Sequence, residues 1–276
     1  EPGVSDCNKC VSGRLGHGAS DIIWWRKSFE WLFHNADSVI CPSQDVATRL
    51  GRYFDTENLK VAYHSALVSE APEVAVRVEN VIAGDPLRVA ILGVLSPHKG
   101  AYVVSKCARL AKERNQPIEF HVIGAANIPL PLAPEAALYE TGAYAEDELQ
   151  GLLRTIKPHV VWFPAQCPET FSYTLSETLA VGLPVVVSNL GAFAERVRGR
   201  PWSWTLDWDA TPGDVLEFFD RVRCEHFLTN SPPPVSGDQK HEPSNFYQED
   251  YLAPRRKAYP VDLRGPDKLS IVAVVQ

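Results

Sequence analysis

The sequence predicts a doubly wound α/β domain, a Rossmann-like parallel sheet covered on both faces, across residues 87–225. Three observations predict it. Short, near-continuously apolar runs recur along this stretch, as they do in strands buried on both faces. Each run is separated from the next by a segment with helical spacing of its apolar residues. The loops that follow the runs carry glycine, proline and charged side chains, which places them together outside the carboxyl ends of the strands, where ligands bind in such sheets.

The elements follow in order. Residues 22–36 place Trp25, Phe29, Leu32 and Phe33 on one face, so an amphipathic helix with a buried aromatic stripe is expected. Ser38–Cys41 reads as a short strand, and Ser43 as the N-cap of a helix whose Val46, Leu50 and Tyr53 share a face. Residues 57–86 carry no clear period and read as a linker. The regular pattern then begins with strand Leu87–Leu92, the loop Gly93–Gly100, and a helix presenting Val103, Val104, Cys107 and Leu110. Strand Ile118–Ile123 ends at Gly124, and a weaker strand near Ala137–Glu140 precedes Gly142. A helix from Ala145 stacks Leu149, Leu152, Leu153 and Ile156. Strands His159–Phe163, Pro184–Ser188 and Trp202–Leu206 alternate with helices in the 168–182 stretch, around Ala192–Val197 and at Val215–Val222. From Asn230 to Arg264 the chain is rich in Pro, Ser and charge and reads as a flexible loop before a helical piece near Asn245–Tyr251. The expected organisation is therefore 1–56 as a helical remnant of a preceding domain, 57–86 as linker, 87–225 as the α/β domain, and 226–276 as loop, terminal helix and the start of a following segment.

Bulk properties narrow the function classes. A net charge of −7 argues against a broad nucleic-acid footprint and offers no basic patch to anionic membranes. No apolar run is long enough to cross a bilayer and no signal peptide opens the sequence. The sequence opens without Met and ends on Leu269–Val275, which reads as an unfinished strand, so a piece of a longer polypeptide is expected. The six cysteines are scattered, which fits a reduced, intracellular chain better than a disulfide framework. Cys7-Asn8-Lys9-Cys10 is a single C-x-x-C without a second pair, so a terminal loop with two free thiols is favoured over a metal site.

The chemistry concentrates in Pro168-Glu169-Thr170-Phe171-Ser172-Tyr173-Thr174-Leu175-Ser176-Glu177 and the Gly182-Leu183-Pro184 that ends the helix it opens. A helix N-terminus offers free N–H groups and a favourable dipole to phosphate, and the two carboxylates accept from hydroxyls. Together they fit a sugar nucleotide. Lys99, in the Gly-bounded loop after the first strand, can reach a pyrophosphate as a compact charge, and Gly100 lets the next helix start close by. The loop is neither a Walker A sequence nor a G-x-G-x-x-G. The bland alternatives are a surface lysine for Lys99 and a solvated helix position for Glu177. His98, beside Lys99, could touch phosphate, whereas His121 reads as structural.

Gly93…Lys99-Gly100, Phe120-His121-Val122-Ile123-Gly124, Gly142, Pro168-Glu169-Thr170-Phe171 and Glu177…Gly182-Leu183-Pro184-Val185 resemble the C-terminal half of retaining, GT-B-fold glycosyltransferases of the family-four type. The resemblance covers about 87–225, and Ala36–Ser43 looks like the last strand and turn of that family's N-terminal domain. It implies that Lys99 binds the diphosphate of a UDP- or GDP-linked sugar and Glu169 holds the sugar, these two being the catalytic pair. Glu177 would bind the ribose, and backbone N–H groups around Phe171, Ser172, Tyr173 and Thr174, with neighbouring Thr170, would meet phosphate or sugar. Gly93 and Gly100 would allow close approach, while Gly124 and Gly142–Tyr144 would border the base. Sugar transfer with retention is implied, to a glycan or lipid-linked acceptor held by an N-terminal domain missing here. No metal is implied and no cofactor beyond the donor substrate. The implied place is the cytoplasm, with any contact to the inner face of the membrane made through other domains. Two departures stand out: Val94 lies where many relatives carry Arg, and Ser172 where they often carry Gly. A sugar-nucleotide epimerase of the same fold and a non-catalytic domain of a larger polysaccharide-synthesis protein are the alternatives.

Overall fold

The computed structural model describes residues 3–14, 21–36, 38–54, 57–64, 76–229 and 272–274, which fall into two units. The first begins with α1 (Val4–Arg14) and α2 (Ile22–Asn35), the latter capped by Asp21, which accepts from the Ile23 amide at 2.9 Å. β1 (Ser38–Cys41) follows, then α3 (Gln44–Leu50), where Ser43 is the N-cap and accepts from Val46, and β2 (Leu59–Val61). β1 is the middle strand of a small parallel sheet, flanked by β2 on one side and, on the other, by a strand at Val272–Val274.

Four expectations change here. Cys7 and Cys10 lie on α1 and not in a terminal loop, and the described residues contain no group of three or more His, Cys, Asp or Glu able to hold a metal. The expected linker contains β2, whose three residues were too few to register a period. The aromatic stripe of α2 is buried only at its C-terminal end. Phe33 packs in a small cluster with Ala36, Val39 and Phe54, its ring stacked on Phe54 at 4.1 Å, while Trp25 and Phe29 are 39% and 42% exposed and lean on each other. That cluster is too small to cover four helical turns. Tyr53, expected on the buried face of α3, lies beyond that helix and is exposed, with the Arg26 guanidinium 3.7 Å from its ring centre.

The second unit contains the predicted sheet. β3 (Leu87–Leu92) leads through a single 3-10 turn at Pro97–Lys99 into α4 (Ala101–Glu113), then β4 (Ile118–Ile123) and β5 (Leu138–Glu140). α5 (Leu149–Ile156), β6 (Val160–Phe163), α6 (Tyr173–Ala180) and β7 (Val185–Ser188) come next. α7 (Gly191–Val197), β8 (Ser203–Leu206) and α8 (Pro212–Val222) complete the series, and the terminal strand of the first unit is β9. The six strands are all parallel, in the order β5-β4-β3-β6-β7-β8. From β3 the chain steps outward to β4 and β5, then crosses back to continue on the other side with β6. The reversal makes a topological switch between β3 and β6, where adjacent loops leave in opposite directions and a crevice opens.

The central strands β3, β6 and β7 are buried almost throughout because both faces are covered, whereas β4 alternates and the edge strands β5 and β8 are partly exposed. Trp162 of β6, Phe120 of β4 and Phe219 of α8 meet with ring centres 5.3–6.1 Å apart at the centre of the core. α4 buries Ala101, Val104, Cys107, Ala108 and Ala111, so its buried stripe is turned toward the alanines, leaving Val103 and Leu110 half-covered. Small side chains bring that helix close to the sheet. Cys107 is deep enough that burial pushes its thiol up to about 12. No helix among the described residues is long and apolar enough to cross a membrane. The segment 230–264, with its expected helical piece at Asn245–Tyr251, lies outside the described residues, and of Leu269–Val275 only β9 is described.

Candidate functional site

The carboxyl ends of β3 and β6 frame a cleft lined by Val94, Lys99, Pro164, Glu169, Ser172 and Thr174, floored by Leu92, Trp162, Phe163 and Phe193. It sits at the switch point. Glycines allow its loops to touch backbone to backbone. At the end of β3, Gly93 adopts φ 87° and its amide donates to Ile123 at 2.9 Å; a Cβ on Gly124 would collide with the Gly93 carbonyl. Gly100, at φ 91°, ends the 3-10 turn, and a Cβ there would run into Pro164 of the β6 loop.

Hydrogen bonds then tie the two loops together. Gln166 donates its backbone amide to the His98 carbonyl at 2.8 Å, and its side-chain amide to the carbonyls of Pro164 and Trp208 at 3.1 and 3.0 Å. Lys99 is exposed on one loop and Glu169 half-buried on the other. Cys167 feels both charges: burial first and the Glu169 carboxylate second raise its thiol, and Lys99 opposes them. Glu169 itself is held from below. Its carbonyl accepts from the Ala192 amide at 2.9 Å, and a Cβ on Gly191 would sit 2.5 Å from that same carbonyl oxygen.

α6 opens onto the cleft. Its N-cap, Ser172, has φ 73° and ψ 101°, a conformation that costs a non-glycine residue about 1–3 kcal/mol and so must be held in place by its surroundings. The Ser172 hydroxyl accepts from the Leu175 amide at 3.3 Å and lies 3.2 Å from the Thr174 hydroxyl. The carbonyls of Phe171 and Ser172 turn inward to the guanidinium of Arg196, at 2.9 and 2.8 Å.

The structure therefore brings Lys99, Glu169, Ser172 and Thr174 to one cleft, with Gly93 and Gly100 framing it through their backbones. Phe171 is buried, its ring under Arg196, and Tyr173 is exposed and edge-on to it at 5.5 Å. Thr170 is half-buried beside Glu169, and Glu177 lies in the second turn of α6, outside the residues lining the cleft. Gly124 and Tyr144 flank the neighbouring β4 and β5 loops: the Gly124 amide donates to the Thr141 hydroxyl at 3.0 Å, and Tyr144 packs half-buried against the main core. His98 is exposed and exchanges a hydrogen bond with Ser96, and His121 pairs with Glu119 at 2.9 Å and stacks on Tyr139. Val94, 58% exposed, lines the cleft at the position where the resemblance leads one to expect Arg. Gly191 and Arg196 were missed from the sequence. Gly191 opens a helix after a strand, a faint signal of close approach; nothing local marks Arg196.

Residues 75–199 match the family model described as Glycosyl transferases group 1. No curated protein matches the chain. Among solved structures, HepE of Anabaena in complex with UDP and glucose is similar with a TM-score of 0.53 at 16% identity, over 71% of this chain and 56% of that one. A variant of S. aureus TarM in complex with fondaparinux, α-GlcNAc-glycerol and UDP gives 0.54 at 16%, over 74% and 40%. The lipopolysaccharide outer core galactosyltransferase WaaB gives 0.54 at 15%, over 70% and 54%. The chain thus spans between 40% and 56% of the length of these three. At such identities the likeness is one of fold: a Rossmann-like half of the kind found in GT-B glycosyltransferases. With the family match, it supports a glycosyltransferase domain.

Proposed function

We propose that this domain binds the nucleotide diphosphate sugar of a retaining glycosyltransferase of the hexosyl-transferring type. The observation that carries the proposal is the meeting of Lys99, Glu169 and the opening of α6 around one cleft at the β3/β6 switch. Each supplies a different part of the recognition. Lys99 and the N–H groups that open α6 meet the diphosphate, which a helix N-terminus and a cation both favour. Glu169 accepts from the sugar hydroxyls, and Glu177 from the ribose. Gly93 and Gly100 let the backbone come close, and Gly124 with Gly142–Tyr144 borders the base. A UDP- or GDP-linked donor fits, with UDP found in the HepE and TarM complexes.

In the reaction, the bond between the anomeric carbon and the phosphate oxygen breaks and a glycosidic bond to an acceptor hydroxyl forms on the same face. The acceptor hydroxyl's proton passes to the departing phosphate oxygen, and the nucleotide diphosphate leaves beside Lys99 and the helix opening, the electrostatic help that lowers such barriers most. No step calls on a metal. The acceptor is a glycan or lipid-linked saccharide of a surface polysaccharide or lipopolysaccharide, held by a second domain, so this piece alone binds donor and turns over poorly. Such a protein works on the cytoplasmic side, where nucleotide sugars are made.

Calorimetric titration with UDP-glucose, GDP-mannose and ADP-glucose tests the donor assignment. Binding of at least one at millimolar affinity or tighter is expected. If none binds, and Glu169→Ala changes nothing, the assignment is wrong.

A further inference from the structure

The geometry points to Arg196 as a positioning residue that sets the conformation of the donor loop; this rests on the donor assignment above. Arg196 lies on α7, 5% exposed, 24 residues along the chain from the loop it holds. One guanidinium nitrogen donates to the carbonyls of both Phe171 and Ser172, at 2.9 and 2.8 Å, and the other to the Ser176 hydroxyl at 2.9 Å. Its plane rests over the Phe171 ring, 4.2 Å from the ring centre. A planar, multiply donating fork makes such a clamp, and a lysine ammonium does not reproduce it.

Two consequences follow from the direction of those bonds. A trans peptide points its C=O and its N–H to opposite sides. With the carbonyls of Phe171 and Ser172 drawn inward to a buried guanidinium, the amides of Ser172 and Tyr173 face away from it. Those are N–H groups assigned to the donor diphosphate or sugar. The clamp also falls on the residue at φ 73°, where glycine would need no holding and serine does. Arg196 and Ser172 are therefore a matched pair: a side chain on α7 supplies the constraint that makes a non-glycine corner workable.

The test compares Arg196→Leu, Arg196→Lys and the double variant Arg196→Leu/Ser172→Gly with the parent chain. Amide hydrogen exchange is followed at residues 172–175, alongside calorimetric titration of whichever donor the parent binds, well below every melting temperature. Arg196→Leu is expected to speed exchange at 172–175 and to weaken donor binding at least tenfold. Arg196→Lys should recover only part of both. Adding Ser172→Gly to Arg196→Leu should recover donor affinity, because glycine takes the corner unaided. Full recovery by lysine without recovery by glycine would mean that the charge and not the loop geometry matters, and would overturn the proposal. Unchanged exchange in Arg196→Leu would overturn it too, whether or not a donor binds. If Arg196→Leu does not fold, the same two readouts on Arg196→Lys decide, and parental values in both overturn it. A parent chain that binds none of the three nucleotide sugars refutes the donor assignment alone, since the exchange comparison still reports on the clamp.

Discussion

The two ends of the six-stranded sheet are built from the same kind of strand yet use their polar groups in opposite ways. At the amino ends the groups close on one another. The His159 amide donates to the Arg88 carbonyl and the Arg88 amide to His159 Nδ1, both at 2.9 Å. Arg88 Nε donates to the Lys157 carbonyl at 2.8 Å, and Arg223 to the Asp85 carbonyl at 2.9 Å. Burial first, then the positive charges of Arg88 and Arg223, push the His159 ring down to about 3, so it stays neutral at pH 7. At the carboxyl ends, glycines bring the loops into contact, and Lys99 and Glu169 line a cleft. The amino end closes its polar groups on one another, and the carboxyl end brings a cation and a carboxylate to the wall of a cleft. The difference comes mainly from what the loops carry, since the central strands β6 and β7 between them are buried along their whole length.

The largest expected effect tests whether the cleft depends on close backbone approach. Gly191→Ala forces a Cβ against the Glu169 backbone at a residue with φ 59° and should cost about 2–4 kcal/mol in a urea unfolding titration. Donor affinity should fall with it; an unchanged affinity would show that Glu169 is not held from beneath. Next comes the opposite end. His159 has its folded value below the usual 6.5, so its contribution is complete above pH 6.5 and is lost as the pH falls toward 3. Relative to His159→Asn, the parent chain should lose roughly 1 kcal/mol of stability per pH unit below 6.5, read from urea midpoints. A constant difference between the two proteins across that window would contradict the neutral, buried ring.

Lys99→Ala should reverse the pattern. Lys99 is exposed, so the unfolding midpoint should stay within error while donor affinity drops about ten- to a hundredfold, or roughly 1.4–2.8 kcal/mol. A loss of stability without loss of affinity would place Lys99 with the fold-holding groups. The smallest effect is a control far from the cleft. Thr211 caps α8 in a reciprocal box with Asp214, and Thr211→Ala should cost about 1 kcal/mol and leave donor binding alone.

Much of this was readable from local pattern. Leu87–Leu92 and Ile118–Ile123 have the predicted bounds, since a mostly apolar run of six residues between a proline and a glycine leaves little latitude. Ser43 caps α3 as expected, because a cap acts within one turn. Local pattern failed where a partner was needed. The periodicity of α2 announced an apolar face but not what would cover it, and Trp25 and Phe29 remain exposed. Cys7 and Cys10 were set in a loop, yet α1 includes them. The start of α8 at Pro212 was signalled by Thr211 and Asp214 and went unread.

The sequence by itself determined the alternation of strands and helices, and the loops that carry Lys99, Glu169 and the opening of α6. Those depend on interactions within a few residues, which composition and spacing record. Only the tertiary structure decided that β3 and β6 lie side by side, so that loops some 70 residues apart form one cleft. It alone put Gly191 beneath Glu169 and the Arg196 guanidinium beneath Ser172. Strand order and buried long-range contacts are set by packing the whole sheet at once, and no short window of the chain contains that information.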